Sequence, residues 1–428
     1  MCVLLGGCTA REPEPEELFP PEPPGRFEEF SPTEGPRALL VNEPSVLAEL
    51  TFEKVLEQLA TSAGAEVDAI GVYQRWWDGL NPASEAATSE AVHCDETTPP
   101  ETLNGFPITC PKLEGELANI LPIEGYSPVA AVNRFDLAPP DGANCGEARV
   151  VFSLESALLF VHMVIFEALL PNPEPELGLA GCRPWVNVWL GLEDASTPDA
   201  AQRLAALYLT GIDGLPPVIR AQGLGLGHEE GPTGRIRTNT LSAHWQLREF
   251  VLDRRCAEEI CQLDVVPTPL TDVAFSGLFT ASKDPRAQAA ADALVSQVKK
   301  LATSTPAELS LSFPRETWAP ENNPDAPRPE AYGRFASGHV ELRERVQAEL
   351  DAIASPLAPE DIYARATATT CSGCHELSSG VNIGQGESFP RSLGFLHVDQ
   401  GMLLSPALVE VFLPQRRAFL DAFLASQP

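Results

Sequence analysis

Cys371 and Cys374, separated by Ser372 and Gly373, are followed at once by His375. Two thiols at this spacing can reach both vinyl groups of one haem and form thioethers. The adjacent imidazole can then turn onto the iron as an axial ligand. C-x-x-C-H is the sequence signature of that attachment. The expected cofactor is therefore one haem c, with Cys371 and Cys374 covalent and His375 proximal. A sixth ligand must come from elsewhere or be left open. Met402 is one candidate, and its thioether would raise the reduction potential relative to a second imidazole. His397 is the imidazole alternative.

Other chemistries compete for the same residues. Cys371 and Cys374 could form a tight disulfide. A zinc site would need further ligands, usually a second Cys/His pair. A dithiol redox motif would want a βαβ setting, which the flanking sequence lacks. Around the motif, "APEDIYARATATT" reads as a short helix, with Pro359, Glu360 and Asp361 suited to its first turn. A Gly-rich loop follows, then "SPALVEVFLPQRRAFLDAFLAS", an amphipathic helix that Pro414 should kink. Helix, C-x-x-C-H, a loop offering a methionine, and a final helix: this order resembles class I cytochrome c over residues 336–428. The resemblance implies single-electron transfer with another envelope redox protein as partner.

Upstream, residues 39–310 read as a disulfide-braced α+β domain with a mixed, largely antiparallel sheet and flanking helices. "PSVLAELTFEKVLEQLATSAG" carries Val46, Leu47, Leu50, Val55, Leu56 and Leu59 at helical spacing, with Ser45 as the expected cap. "ARVVFSL", "LFVHMVIFEALL", "WVNVWLGL", "PPVIRAQGL", "RIRTNTL", "HWQLREFVL" and "CQLDVVPTPL" read as β-prone runs. "TPDAAQRLAALYLTG" interrupts them as a helix capped by Thr197. A Pro/Asn-rich connector is expected over 311–335. The fold class is thus α+β followed by a small all-α cytochrome c-like unit.

The chain of 428 residues carries ten cysteines. Cys94, Cys110, Cys145, Cys182, Cys256 and Cys261 could form three disulfides if the protein is exported, most simply in sequential pairs, although six cysteines allow 15 connectivities. Leu5-Gly6-Gly7-Cys8 resembles a bacterial lipobox, so residues 1–8 read as a signal-peptide remnant with lipidation at Cys8. The Pro/Glu-rich residues 9–38 read as an extended tether. The expected location is the cell envelope, as a periplasmic or outer-membrane lipoprotein, with surface display as one option, touching membrane only through that lipid. The longest apolar run, 157–170, falls short of the ~20 residues of a membrane span and contains His162 and Glu167.

A net charge of −31 argues against nucleic acid, whose phosphates need Lys and Arg. No G-x-S-x-G, H-E-x-x-H or phosphate-binding Gly loop is present. Arg134, Asp136, Glu147, Arg149 and Glu167 could serve acid–base or cation chemistry, but they read chiefly as mutual ion-pair ties. On "HWQLREF", His244, Gln246 and Arg248 share one strand face and Glu249 the other. The "NRFD", "CGEARVVF", "GCRPW" and "WQLREF" blocks resemble those of uncharacterised secreted lipoproteins of myxobacteria and related bacteria, some of which also end in C-x-x-C-H. That resemblance implies export and carries no activity. Two alternatives to electron transfer stay open. One is a cofactor-free ligand-binding lipoprotein whose C-x-x-C is a disulfide. The other is a haem-dependent oxidoreductase such as a peroxidase.

Overall fold

The computed structural model describes residues 36–87, 91–120, 123–154, 161–227, 233–241, 245–257, 260–280, 283–321, 331–336 and 338–426. Cys8, most of the expected tether and His244 lie outside them. The folded body takes in Arg37 and Ala38, which the sequence had assigned to the tether. Arg37 pairs with Glu43 and donates to the Ala195 carbonyl, while Ala38 is buried.

Strand β1 (Leu40–Val41) opens a seven-stranded antiparallel sheet. A separate hairpin, β2 (Thr102–Leu103) and β3 (Phe106–Pro107), turns through Asn104 and Gly105. Both have positive φ, as a two-residue hairpin turn requires. The sheet continues with β4 (Tyr126–Arg134), β5 (Glu147–Leu154), β6 (Val161–Leu169), β7 (Arg235–Leu241), β8 (Trp245–Ala257) and β9 (Ile260–Thr268), each beside its predecessor. The sheet is antiparallel throughout, as its alternating patterning suggested.

Alternation along the strands gives the sheet two unlike faces. Phe152, Phe166 and Phe250 point to the apolar one. It is covered by helices α2 (Phe52–Ala63) and α3 (Ala69–Asp78), where Phe52 stacks on Tyr126 and Trp76 on Trp77, each pair at 4.2 Å. The opposite face carries Arg149, Glu167, Arg237 and Glu249 in adjacent register: Arg149 opposes Glu167, and Arg237 opposes Glu249.

Several local expectations change. The first apolar helical run is two helices, α1 (Pro44–Leu47) and α2, and its six apolar residues are all buried. Thr51 rather than Ser45 caps α2, its hydroxyl accepting from Lys54 N. "WVNVWLGL" is not a strand but helix α4 (Arg183–Glu193); Trp185, Val188, Trp189 and Leu192 recur at 3–4 residue spacing and are buried. "PPVIRAQGL" forms no strand either. Helix α5 (Thr197–Leu209) is capped by Ser196, whose Oγ accepts from Asp199 N, and Thr197 is its first helical residue. The six cysteines pair in sequence order: Cys94–Cys110, Cys145–Cys182 and Cys256–Cys261.

Helices α6 (Arg286–Ser296), α7 (Val298–Leu301), α8 (Tyr332–Ala336), α9 (Val340–Ala352) and α10 (Pro359–Ala368) build a second core with Phe279 and Phe313. The last helix, α11 (Leu413–Ser426), starts just before Pro414 and follows a widened helical turn at 407–412. Its Leu420 and Phe423 enter the sheet's own core, where Phe423 meets Phe135 at 4.7 Å. A boundary at residue 336 therefore cuts through packed side chains on both sides. No helix among the described residues is long and apolar enough to cross a membrane.

Candidate cofactor site

Helix α10 delivers the C-x-x-C-H segment. Pro359 occupies its first turn, and the Asp361 carboxylate accepts from Ala358 N at 2.9 Å. Arg365 ties it down by donating to the carbonyls of Ile383, Leu301 and Thr303. The Thr370 hydroxyl accepts from Gly373 N at 2.9 Å and donates to Thr367 O at 2.8 Å. At Gly373 a Cβ would meet the Thr367 carbonyl oxygen at 1.7 Å, so the turn that brings the two cysteines round requires glycine there. Cys371 and Cys374 are not joined by a disulfide.

His375 is locked by a reciprocal pair of bonds. Phe395 N donates to His375 O at 3.0 Å, and His375 Nδ1 lies 2.8 Å from Phe395 O. A carbonyl only accepts, so Nδ1 carries the proton and Nε2 keeps its lone pair for a ligand. Phe395 sits at φ 71°, a strained conformation for a non-glycine. The sheet holds it there: Asn239 Nδ2 donates to the same carbonyl at 3.0 Å, and Trp245 Nε1 donates to Asn239 Oδ1 at 2.5 Å. Trp245 also lies nearly parallel to the His375 ring, at 6.1 Å. Burial pushes His375 down to about 4, against the raising effect of its bond to Phe395. The ring is thus neutral, as a metal ligand must be.

The His397 ring stands 4.6 Å from that of His375. Its Nδ1 is 2.8 Å from Ser405 Oγ and its Nε2 3.3 Å from Cys374 Sγ. Burial pushes the Cys374 thiol up to about 11, so a neutral S–H faces a neutral imidazole. Burial, with His375 and Arg416 adding to it, holds His397 well below its ordinary value.

Both cysteines, His375 and His397 line one cavity of about 460 Å³, within the ~300–1,000 Å³ range of ligand and cofactor pockets. Met402 does not line it. Its carbonyl accepts from Asn42 Nδ2 and its side chain packs on the main core. Arg134, Arg149, Arg237 and Arg416 also line the cavity.

Arg134 pairs with Asp136, Arg149 with Glu147 and Glu167, and Arg237 with Glu167 and Glu249. The polar cluster expected to be internal ties is one, and it also walls this cavity. Burial works against the charge on Arg237, but Glu167 and Glu249 more than offset it and hold its pKa well above the ordinary value. Arg416 is different. Its carboxylate partner among the described residues, Asp136, is 3.9 Å away, and burial reinforced by Arg134 pushes it down to about 9.

Sequence reasoning had not brought Arg237, Arg416, Trp245, Asn239 or Phe395 to this site. The alternation in "RIRTN" does put Arg235, Arg237 and Asn239 on one strand face, which was the available signal. Among the described residues no group of three or more His, Cys, Asp or Glu side chains could hold a metal ion by itself. No protein-family model, curated protein or solved structure matches this chain.

Proposed function

We propose that this chain holds one covalent haem c between its C-terminal segment and the charged face of the sheet. It would pass single electrons to or from another envelope redox protein while tethered through lipid on Cys8. The observation that carries this reading is the convergence of Cys371, Cys374 and a His375 with a bare Nε2 on one cofactor-sized cavity. When bound, haem supplies a one-electron couple whose potential follows its axial ligands and burial. The chain's own part is to attach and orient it. Cys371 and Cys374 form the thioethers and His375 is the proximal ligand. Arg416, with Arg134 and Arg149 beside it, meets the carboxylates that a haem carries.

One geometric fact favours a second reading, a haem-dependent oxidoreductase with an open sixth position. The His375 and His397 rings stand 4.6 Å apart on the wall of one cavity, too close to hold a group between them, and Met402 is off the cavity. His397, whose Nε2 faces Cys374 Sγ at 3.3 Å, would have to swing away to serve as a second ligand.

The test is a pyridine haemochrome spectrum of protein exported in a host that matures c-type cytochromes. The expected result is the reduced band of a haem with two thioethers, lost in Cys371→Ala/Cys374→Ala. A colourless protein would overturn the proposal. Cyanide binding to the oxidised form would favour the open site; a spectrum indifferent to cyanide, and altered by His397→Ala or Met402→Ala, would identify a protein ligand.

A further inference from the structure

A second cavity, of about 200 Å³, shares no lining residue with the first. Its floor is α3 and the outermost strand β9, where Trp76, Leu80 and Val265 are buried. Trp76 stacks on Trp77 at 4.2 Å and meets Phe250 edge-on at 5.4 Å, so the floor is fixed. The roof is the loop from 92 to 108, which contributes Val92, Leu103 and Ile108. That loop is held off the floor. Cys94–Cys110 ties its two ends, and Asn104 Nδ2 donates to the carbonyls of Arg315 and Trp318 at 2.8 and 2.9 Å. Lys112 N donates to Leu80 O at 2.9 Å. Protein interiors ordinarily fill such a space with side chains. Here the ties keep it open.

The wall offers a guest no vacant charge. Lys112 pairs with Glu321, Arg248 with Glu114 and Glu321, Arg75 with Asp264, and Arg255 with Asp253 and Asp264. Glu249 is held by Arg235 and Arg237. Its hydrogen-bonding groups are occupied as well. Arg248 also donates to Gln246, and the Thr97 hydroxyl donates to Pro99 O and accepts from Thr102 N. The ring nitrogens of His93 and the indole N–H of Trp76 find no hydrogen-bond partner among the described residues, but they lie beneath the wall, out of a guest's reach. Most of the surface that remains is carbon. A charged guest would enter without a counter-ion, and a hydroxyl would give up its bonds to water for none. An apolar guest loses nothing of the kind. About 150 Å³ of apolar cavity suffices for benzene, so about 200 Å³ fits one ring with one or two further carbons.

We propose that this cavity is a binding site for a small, uncharged, apolar single-ring molecule, of the size of toluene or ethylbenzene. The guest is selected by volume and by the absence of polar groups, and the site works whether or not the first cavity holds a cofactor.

The test is calorimetric titration of the exported full-length protein with benzene, toluene, phenol and benzoate. Toluene should saturate one site about fourfold more tightly than benzene, the factor that one more buried carbon gives. Phenol should bind more weakly than toluene, and benzoate should not bind. In Leu80→Phe, which adds volume from the buried floor, toluene should lose its advantage over benzene. NMR of the Trp76 ring in the unaltered protein reports binding even if that variant fails to fold. The proposal is overturned if toluene does not saturate, if phenol or benzoate binds as tightly as toluene, if a folded Leu80→Phe keeps the original size preference, or if toluene leaves the Trp76 signals unmoved.

Discussion

Glu249 makes the charged face of the sheet testable. Its carboxylate is fully buried on β8. It accepts from Arg235 at 2.8 Å, from Arg237 at 2.9 Å, and from Thr271 N and Oγ1 at 3.1 and 2.9 Å. Burial alone would raise its pKa, but Arg237 and Arg235 reverse that and hold it at about 2, against an ordinary 4.5. A carboxylate depressed by this much contributes about 3 kcal/mol to stability at neutral pH. The sign follows from the depressed folded value. The contribution is full above the unfolded pKa, shrinks to about 2 kcal/mol near pH ~3.5, and vanishes as pH falls through the folded pKa. Glu249→Gln removes the titration, takes from Arg235 its carboxylate and leaves Arg237 only Glu167, so we expect a loss of about 3–5 kcal/mol at pH ~7. Denaturant unfolding of both proteins at several pH values is the assay. The gap between them should narrow steadily as the pH is lowered through the acid range. A gap below 1 kcal/mol at neutral pH, or one that does not change with pH, would refute the reasoning that the ladder is a charged, mutually compensating unit (threshold from the ~1 kcal/mol ceiling of exposed pairs).

Asn239→Ala should cost about 1–3 kcal/mol, because Trp245 Nε1 loses its acceptor and the Phe395 carbonyl loses a donor; in the haem-loaded protein it should also shift the reduction potential, measured by redox titration. Removing Cys145–Cys182, which closes a separation of 37 residues, should cost about 4 kcal/mol against about 2 kcal/mol for Cys256–Cys261 with a separation of 5, read from unfolding midpoints of the paired alanine variants. Thr51→Ala should lower stability by about 1 kcal/mol through loss of the α2 cap. Ser45→Ala should change it by less than half that, since no side-chain bond caps α1.

What was legible in the sequence follows from the range of the interactions. The strands that form the sheet's centre carry their alternation locally, and β4 to β9 pair with sequence neighbours, so an antiparallel sheet could be read directly. Helix α4 could not. "WVNVWLGL" is β-branched and aromatic, and it is helical because Trp185, Val188, Trp189 and Leu192 together find a core to enter, which no local propensity records. Caps were misplaced by one residue at Ser196 and by six at Thr51, where a break after Leu47 starts a new helix. The C-x-x-C-H motif was legible because its chemistry is contiguous. The Asn239–Phe395–His375 connection was not, because its members are 156 and 20 residues apart and only the packing of the last segment on β7 brings them together.

That packing bears on what kind of unit the C-terminal segment is. An autonomous electron carrier would hold its proximal histidine with its own loops and fill its own core. Here the small apolar cluster beside the motif contains Ala368, Ile383 and Phe389 among fully buried residues, which is far too little to offset the ordering of some 90 residues. Val398, Leu404, Leu408, Leu413, Leu420 and Phe423 are instead spent on the sheet's core, and α8–α10 on the core built around α6. The imidazole that would meet the iron is oriented through Phe395 by a strand residue, and the charged wall of its cavity is made by β4, β5 and β7 together with Arg416. The α+β body therefore builds half of the cavity at the C-x-x-C-H segment, and the C-terminal segment cut from it would lose both its core and the bonds that hold His375 in place.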